Sequence, residues 1–308
     1  MKLLLIGGTG FFGKSILDSF RKNHLEQFSI NEIVVVSRSS KDFKNKYPEL
    51  INSKVTFFDA DISKCKSLPD FDVVIHAATS SDKRDYISDE NKQLSNIENG
   101  ASNFIKLIKQ NSKKVKVLYC SSGAVYGQQP KNINSISESF DFLPLNSLES
   151  EKRIYAQGKR KAEEKILELS SHGFNCLIAR CFSFYGKYLP KDQHFAYGNF
   201  VKMAEQKKDI VVKAKNRVYR SYMSADDLVL SLFILLKINN EKTSIFNVGS
   251  SQSILIHDLA KKIALKYNVK VIKNDIDETL PVDRYVPNVS KLKHVRKIFY
   301  PNLEMKTL

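Results

Sequence analysis

The sequence has no tryptophan, four cysteines and 8 prolines in 308 residues, and its 33 acidic side chains are outnumbered by 49 Lys and Arg. Cys65, Cys120, Cys176 and Cys181 form no CxxC pair, so the signature of a disulfide framework or a cysteine-rich metal site is missing. Cys120 and Cys176 fall in apolar runs and read as reduced, buried side chains. Neither end carries a low-complexity tail. No stretch approaches the roughly 18 to 20 consecutive apolar residues of a membrane span. The apolar start from Met1 to Ile6 is too short for a signal peptide. The expectation is a cytoplasmic protein with no metal centre and no membrane partner. A hydrophobic content of 42% is enough for one large core or two modest ones, and disorder is excluded as the main state.

The formal net charge of +16 invites a polyanion as partner. Its distribution argues otherwise. Lysines are scattered through every segment, arginines number only ten, and the densest stretches, 106–116 and 159–165, fall where helices are expected. Nucleic-acid sites concentrate basic residues on one element and interleave aromatics. Solvated helix faces explain the excess better, leaving a general pull toward small anions and no nucleic-acid partner.

Short β-rich apolar runs recur at 2–6, 32–36, 55–58, 72–76, 115–120 and 175–180, separated by segments with helical spacing such as Ile97, Phe104, Leu107 and Ile108. Alternating strand and helix predicts an α/β fold, a doubly wound parallel sheet of the Rossmann type. After about Arg180 the rhythm breaks into a loop at 185–189, a helix at 200–206 and an apolar helix at 226–236. A smaller second part begins at that break, and the expected division is a larger part over 1–180, with 220–248 returning to it, and a smaller, partly interleaved part over 181–219 and 249–308.

Directly after the first strand stands Gly7-Gly8-Thr9-Gly10-Phe11-Phe12-Gly13, leading into a helical run. A glycine turn between strand and helix lets backbone approach a pyrophosphate, whose charge meets the exposed N–H groups of the helix start. The end of the second strand then selects the cofactor. NAD sites place a carboxylate there for the ribose hydroxyl; this chain has Ser37-Arg38-Ser39, with a guanidinium and no carboxylate, which favours NADP over NAD. Asp61-Ile62 follows the third strand, and His76-Ala77-Ala78-Thr79 follows the fourth with small residues that allow close approach.

Two further segments carry chemistry. Ser121-Ser122-Gly123-Ala124 lies past the fifth strand, at the carboxyl end of the sheet, where ligands of such folds bind. Tyr155 and Lys159 are four residues apart in a helical run and so share a face. By chance alone, 13 Tyr and 39 Lys predict between one and two such pairs; one occurs, and it lies in the helix where it is useful.

With these pieces in this order, the sequence resembles the extended short-chain dehydrogenase/reductases, the nucleotide-sugar epimerases, dehydratases and ketoreductases. The resemblance runs from Lys2 to about Lys291. It includes Asn96 before Gly100, Arg180 to Gly186, Asn199, Arg220 to Asp227 and Phe246-Asn247-Val248-Gly249. It implies that Tyr155 is the general acid/base, that Lys159 lowers the phenol pKa from about 10 and holds the nicotinamide ribose, and that Ser122 hydrogen-bonds the reacting oxygen. Cofactor contacts are implied for Gly7, Thr9, Gly10, Phe11, Phe12, Gly13, Arg38, Asp61, Ile62, Ala77, Ala78, Asn96, Tyr155 and Lys159. Substrate contacts are implied for Ser122, Gly123, Ser183, Asn199, Arg220 and Arg284, the guanidinium groups suiting a diphosphate. A homodimer with two helices per subunit pairing is the implied assembly.

Two departures narrow the reaction. The 4,6-dehydratases of the family carry Asp-Glu after the hydroxyl residue, whereas Gly123-Ala124 stand here, so water elimination by that route is not expected. Ser183 replaces the Asn of many relatives, and His194 reads as a pocket-lining or surface residue. Reduction of a nucleotide-linked 4-keto(-6-deoxy) sugar by NADPH is the first expectation. A nucleotide-sugar 4-epimerase recycling NAD is the second, and a non-catalytic NADP-sensing or nucleic-acid-associated protein the third.

Overall fold

Runs such as Leu3-Leu4-Leu5-Ile6 and Val34-Val35-Val36 are buried on both faces, as strands are only inside a parallel sheet covered by helices. The computed structural model describes residues 1–38, 40–79, 90–110, 114–191, 195–238, 244–302, 304–306 and 308. In chain order they form β1 (Lys2–Ile6), α1 (Phe11–Arg21), β2 (Glu32–Ser37), α2 (Lys41–Lys46), β3 (Val55–Asp59), β4 (Val73–His76), α3 (Glu90–Lys109), β5 (Lys116–Ser122), α4 (Ser150–Ser171) and β6 (Asn175–Cys181). Then come β7 (Phe184–Tyr185), α5 (Ala196–Glu205), β8 (Ile210–Val212), β9 (Val218–Ser221), β10 (Met223–Ser224), α6 (Ala225–Lys237) and β11 (Ser244–Val248). The chain closes with β12 (Ser253–Leu255), α7 (Ile256–Tyr267), β13 (Val271–Lys273), β14 (Asp283–Tyr285) and α8 (Ser290–Phe299).

Seven strands pair in parallel in the order β11-β6-β5-β4-β1-β2-β3. Alternate residues of each strand face opposite sides. Leu3, Leu5, Val35 and Leu118 join one core with residues of α1 and α6, while Leu4, Ile6, Val34, Val117 and Ile178 join the other with α3 and α4. The order reverses beside β1, whose neighbours are β2 and β4. A crevice opens there beyond the strand ends, where doubly wound sheets bind ligands.

The six strands expected from the first 180 residues are all present, β1 with the expected ends and the other five with ends shifted by at most two positions. The expected helices at 200–206 and 226–236 are α5, which starts at Ala196, and α6. Short pairings came without a sequence signal: β7 with β10, β8 with β13, and β9 between β12 and β14. Two- to four-residue strands carry too little periodicity to be read. Phe200, Val201, Ile210, Val212, Ile256 and Leu259 give this part its own core.

Candidate active site

β1 ends at Ile6 and the chain enters α1 at Phe11, so the intervening turn must be tight. Gly7 has φ +87°, and a Cβ there would stand 2.6 Å from Ala78 Cα, so Ala77-Ala78 after β4 abuts the turn. A Cβ on Gly13 would fall 2.2 Å from Gly8 Cα, which is how α1 can pack on the turn. Gly10 precedes α1 with no side-chain cap, and a Cβ there would meet only Gly7 O at 3.5 Å. The first N–H groups of α1 are thus left for an anion, and Gly7, Gly10, Phe11, Phe12 and Ala77 line a cleft of about 1030 Å³. A dinucleotide pyrophosphate fits this cradle.

Thr9 Oγ1 lies 3.2 Å from Ser37 Oγ at the end of β2, followed by an exposed Arg38. Asp61 accepts hydrogen bonds from Ser63 N at 2.9 Å and Ser63 Oγ at 2.7 Å. Burial pushes its carboxyl up, but these bonds and the nearby Arg38 outweigh that and hold it below the usual range. Ile62 packs beside Gly100 of α3. Asn96 does not reach the cleft: it is exposed on α3, and Gln93, one turn earlier, lines the cleft instead.

The residues expected to react, Ser122, Tyr155 and Lys159, come from β5 and α4. Ser122 ends β5 and caps the 3₁₀ turn Gly123–Tyr126, its Oγ accepting from Ala124 N at 3.2 Å. Most of the inward stripe of α4 is apolar, with Ala156, Ala162, Ile166 and Leu169, yet Lys159 and Glu163 lie on it as well. A buried ammonium needs acceptors. Lys159 Nζ donates to Thr79 Oγ1 at 2.7 Å, Cys120 O at 2.8 Å and Tyr119 OH at 3.2 Å, using all three of its protons. Burial lowers its pKa to about 8, with Glu163 among the groups that oppose the shift.

Tyr155 is half-buried one turn before Lys159 and lines the same cleft. The expected lowering of its pKa is not what the surroundings produce. Burial pushes the phenol up to about 12, partly offset by a hydrogen bond with Ser122. Lys159 Nζ stands 6.0 Å from the Tyr155 ring centroid, with its protons directed to Thr79 and β5.

Ser183, Asn199, Arg220 and Arg284 line the other half of the cleft. Arg220 is engaged by Asp283, with NH2 2.6 Å from Oδ2, and donates to Tyr219 O at 2.8 Å. Arg284 stacks on the Tyr219 ring at 4.3 Å, and its buried Nε has no hydrogen-bond partner among the described residues. Gly123 does not line the cleft: a Cβ there would strike the Phe182 ring at 2.6 Å. His194 lies outside the described residues.

Sequence reading missed Tyr285 of β14, whose OH is 3.4 Å from Ser122 Oγ and whose ring packs on Phe182 at 4.6 Å. More than 160 residues separate it from Ser122, and no local pattern marks it. Thr79 was visible only as one of several small residues after β4.

The sequence matches the NAD dependent epimerase/dehydratase family over residues 3–249. UDP-glucuronic acid decarboxylase 6 of Arabidopsis thaliana is 24% identical over 305 residues, covering 96% of this chain and 83% of that protein. UDP-glucose 4-epimerase of Rickettsia bellii is 25% identical over 237 residues, covering 75% of this chain and 62% of its own. Among solved structures, UDP-N-acetylglucosamine 4-epimerase from Methanobrevibacter ruminantium superposes with a TM-score of 0.79 at 20% identity, covering 99% of this chain and 93% of that one. UDP-glucuronic acid 4-epimerase from Bacillus cereus, solved with UDP-glucuronic acid and NAD, gives 0.77 at 19% identity, covering 96% and 92%. With the glycine cradle, the Ser122, Tyr155 and Lys159 site and a family match spanning most of its length, the chain belongs to the NAD dependent epimerase/dehydratase family, within the extended short-chain dehydrogenase/reductases, and is an enzyme.

Proposed function

We propose that the enzyme reduces the 4-keto group of a nucleotide-linked sugar, often a 6-deoxy sugar, with NADPH. The observation that carries this reading is the end of β2, where an exposed Arg38 follows Ser37 and no carboxylate stands to hold the ribose hydroxyls of NAD. Tyr155, whose phenol burial pushes up, keeps its proton at neutral pH and can give it to a carbonyl oxygen. The dinucleotide, when bound, supplies the hydride.

Tyr155 delivers its proton to the keto oxygen as that oxygen gains charge. Ser122 hydrogen-bonds the same oxygen and stabilises the developing negative charge. Lys159, still largely protonated at pH 7 with a pKa of about 8, stabilises the phenolate left behind and binds the nicotinamide ribose. Gly7, Thr9, Gly10, Phe11, Phe12 and Gly13 hold the pyrophosphate, and Arg38, exposed beside Ser37, takes the 2′-phosphate. Asp61, Ile62, Ala77 and Ala78 form the rest of the cofactor wall. Ser183, Asn199, Arg220 and Arg284 take the sugar nucleotide, the last two facing its diphosphate. Residues 181–219 and 249–308 then serve as the substrate-binding part, and the assembly is a homodimer.

A 4-epimerase that recycles NAD is the second reading, favoured by the NAD bound in the Bacillus cereus epimerase structure and by the epimerases among the relatives. The two are separated by incubating purified enzyme with NADPH and a panel of nucleotide 4-keto-6-deoxy sugars. The reductase consumes one NADPH per sugar. Conversion of an unreduced nucleotide sugar with no net redox change would refute it.

A further inference from the structure

One turn beyond Lys159, α4 buries a carboxylate. Glu163 is 2% exposed, and a charge there needs its lone pairs occupied. Arg180 Nε lies 3.1 Å and 3.2 Å from its two oxygens and NH2 lies 2.7 Å from Oε2, while Ser121 Oγ donates to Oε1 at 2.5 Å. Ser121 and Arg180 are partners in the β5–β6 register, and the next pair is Ser122 with Cys181, at the cleft. Behind the guanidinium stand the rings of Tyr126 and Phe142, each 4.8 Å away, and Tyr126 OH donates to Asn247 Oδ1 at 2.8 Å. Asn247 in turn pairs with Arg180 across β11 and β6.

Neither Glu163 nor Arg180 lines the cleft. A buried ion pair adds little net stability, because desolvation offsets its attraction. Directional bonds do something an apolar contact cannot: they fix how far a helix is advanced and rotated against a sheet. We propose that Glu163 is a positioning residue which, through Ser121 and Arg180, sets α4 against β5 and β6 and so places Tyr155 and Lys159 relative to Ser122. The proposal rests on the reading of those three residues as the reacting site.

Glu163 acts through charge as well. The titratable groups facing Lys159 are His76 of β4, Tyr119 and Cys120 of β5, Cys181 of β6, and Tyr155 and Glu163 of its own helix. Burial holds His76, Tyr119, Tyr155 and Cys181 in their neutral forms at pH 7. Glu163 is the carboxylate among these groups, and it supports the Lys159 ammonium.

The test uses the full-length enzyme with Glu163→Gln, which keeps shape and removes charge, and Ser121→Ala, which removes one bond and keeps charge. NADH and NADPH are titrated by nicotinamide fluorescence from about pH 6 to 10, a range that spans the Lys159 titration. For Glu163→Gln the alkaline midpoint of cofactor binding moves down by about half a unit or more, and kcat falls about tenfold while KM stays within about threefold. Ser121→Ala lowers kcat by about threefold and leaves the midpoint in place. A lower melting temperature with wild-type kcat and wild-type midpoint in both variants would make the cluster purely structural and overturn the proposal. If Glu163→Gln does not fold, Ser121→Ala and Arg180→Lys decide, and unchanged kcat in both overturns it. The fluorescence titration needs no substrate. If the wild-type enzyme turns over none of the sugars, the assigned reaction fails and the midpoint shift alone judges the positioning role.

Discussion

Tyr155 and Lys159 were legible from sequence because helical spacing alone puts i and i+4 on one face. Their energetics were not. A phenol's pKa depends on what buries it, and here burial pushes it up while only a hydrogen bond with Ser122 pulls the other way. Replacing Tyr155 by Phe removes only the hydroxyl. Turnover should fall by about 10²- to 10⁴-fold while cofactor affinity, measured by nicotinamide fluorescence, stays near wild type. A near-normal rate would remove Tyr155 from its role. Arg220 teaches the same lesson: its pairing with Asp283, 63 residues away, is a long-range contact that no local pattern reveals.

His76 is a second residue whose meaning comes from surroundings. It is 3% exposed between Phe104, at 4.8 Å, and Tyr119, at 5.3 Å, with no partner on either ring nitrogen among the described residues. Burial, with a lesser push from Lys159, holds its pKa down to about 3, below the unfolded value of 6.5. The unfolded chain therefore binds the proton more readily, so the stability contributed is present above about pH 6.5 and is lost as pH falls toward 3. At pH 5 the loss should be ~2 kcal/mol. Denaturant melts at pH 7 and pH 5 of the wild type and His76→Phe test this: the variant should lose less stability on acidification, and equal losses would refute the assignment.

At the scale of elements, the strands and helices of the first 180 residues were readable because long apolar runs and helical periods repeat. The strands β7 to β10 and β12 to β14 were not, since two to four residues define no period and their pairing is set by tertiary packing. The glycine turn was legible as a motif. Its close fit to Ala78 was not, because that contact joins segments 71 residues apart. The 3₁₀ turn after β5 holds a further consequence. The side chain missing at Gly123 is excluded by the Phe182 ring, which also packs on Tyr285. Installing the dehydratase residues by Gly123→Asp with Ala124→Glu should therefore destabilise the protein by ~1–3 kcal/mol through overpacking and yield no water elimination. Thermal melts and product mass measure both effects. A stable variant that dehydrates its substrate would show that Phe182 gives way and does not restrict the reaction.

For the molecule as a whole, a parallel sheet with its order reversing beside β1 brings the glycine turn, Thr79, Ser122 and α4 to one edge, and the small strand pairs add Arg220, Arg284 and Tyr285 opposite them. Alternation in the sequence foretold the first half of this cleft. The second half needed the fold, because β9 and β14 meet only in three dimensions. The large positive charge narrows in the same way. Few of its lysines and arginines lie at the cleft, Lys159, Lys213, Arg220 and Arg284 among them, where a dinucleotide and a sugar diphosphate would supply the negative charge. In the proposed reaction, hydride from an external NADPH ends on the sugar. Supplying NADPH deuterated at the transferable position, with a nucleotide 4-keto sugar, and weighing the product by mass spectrometry tests it directly. One deuterium at C4 and one NADP formed per sugar are expected; a converted sugar carrying no deuterium, with NADPH unconsumed, would refute the reduction.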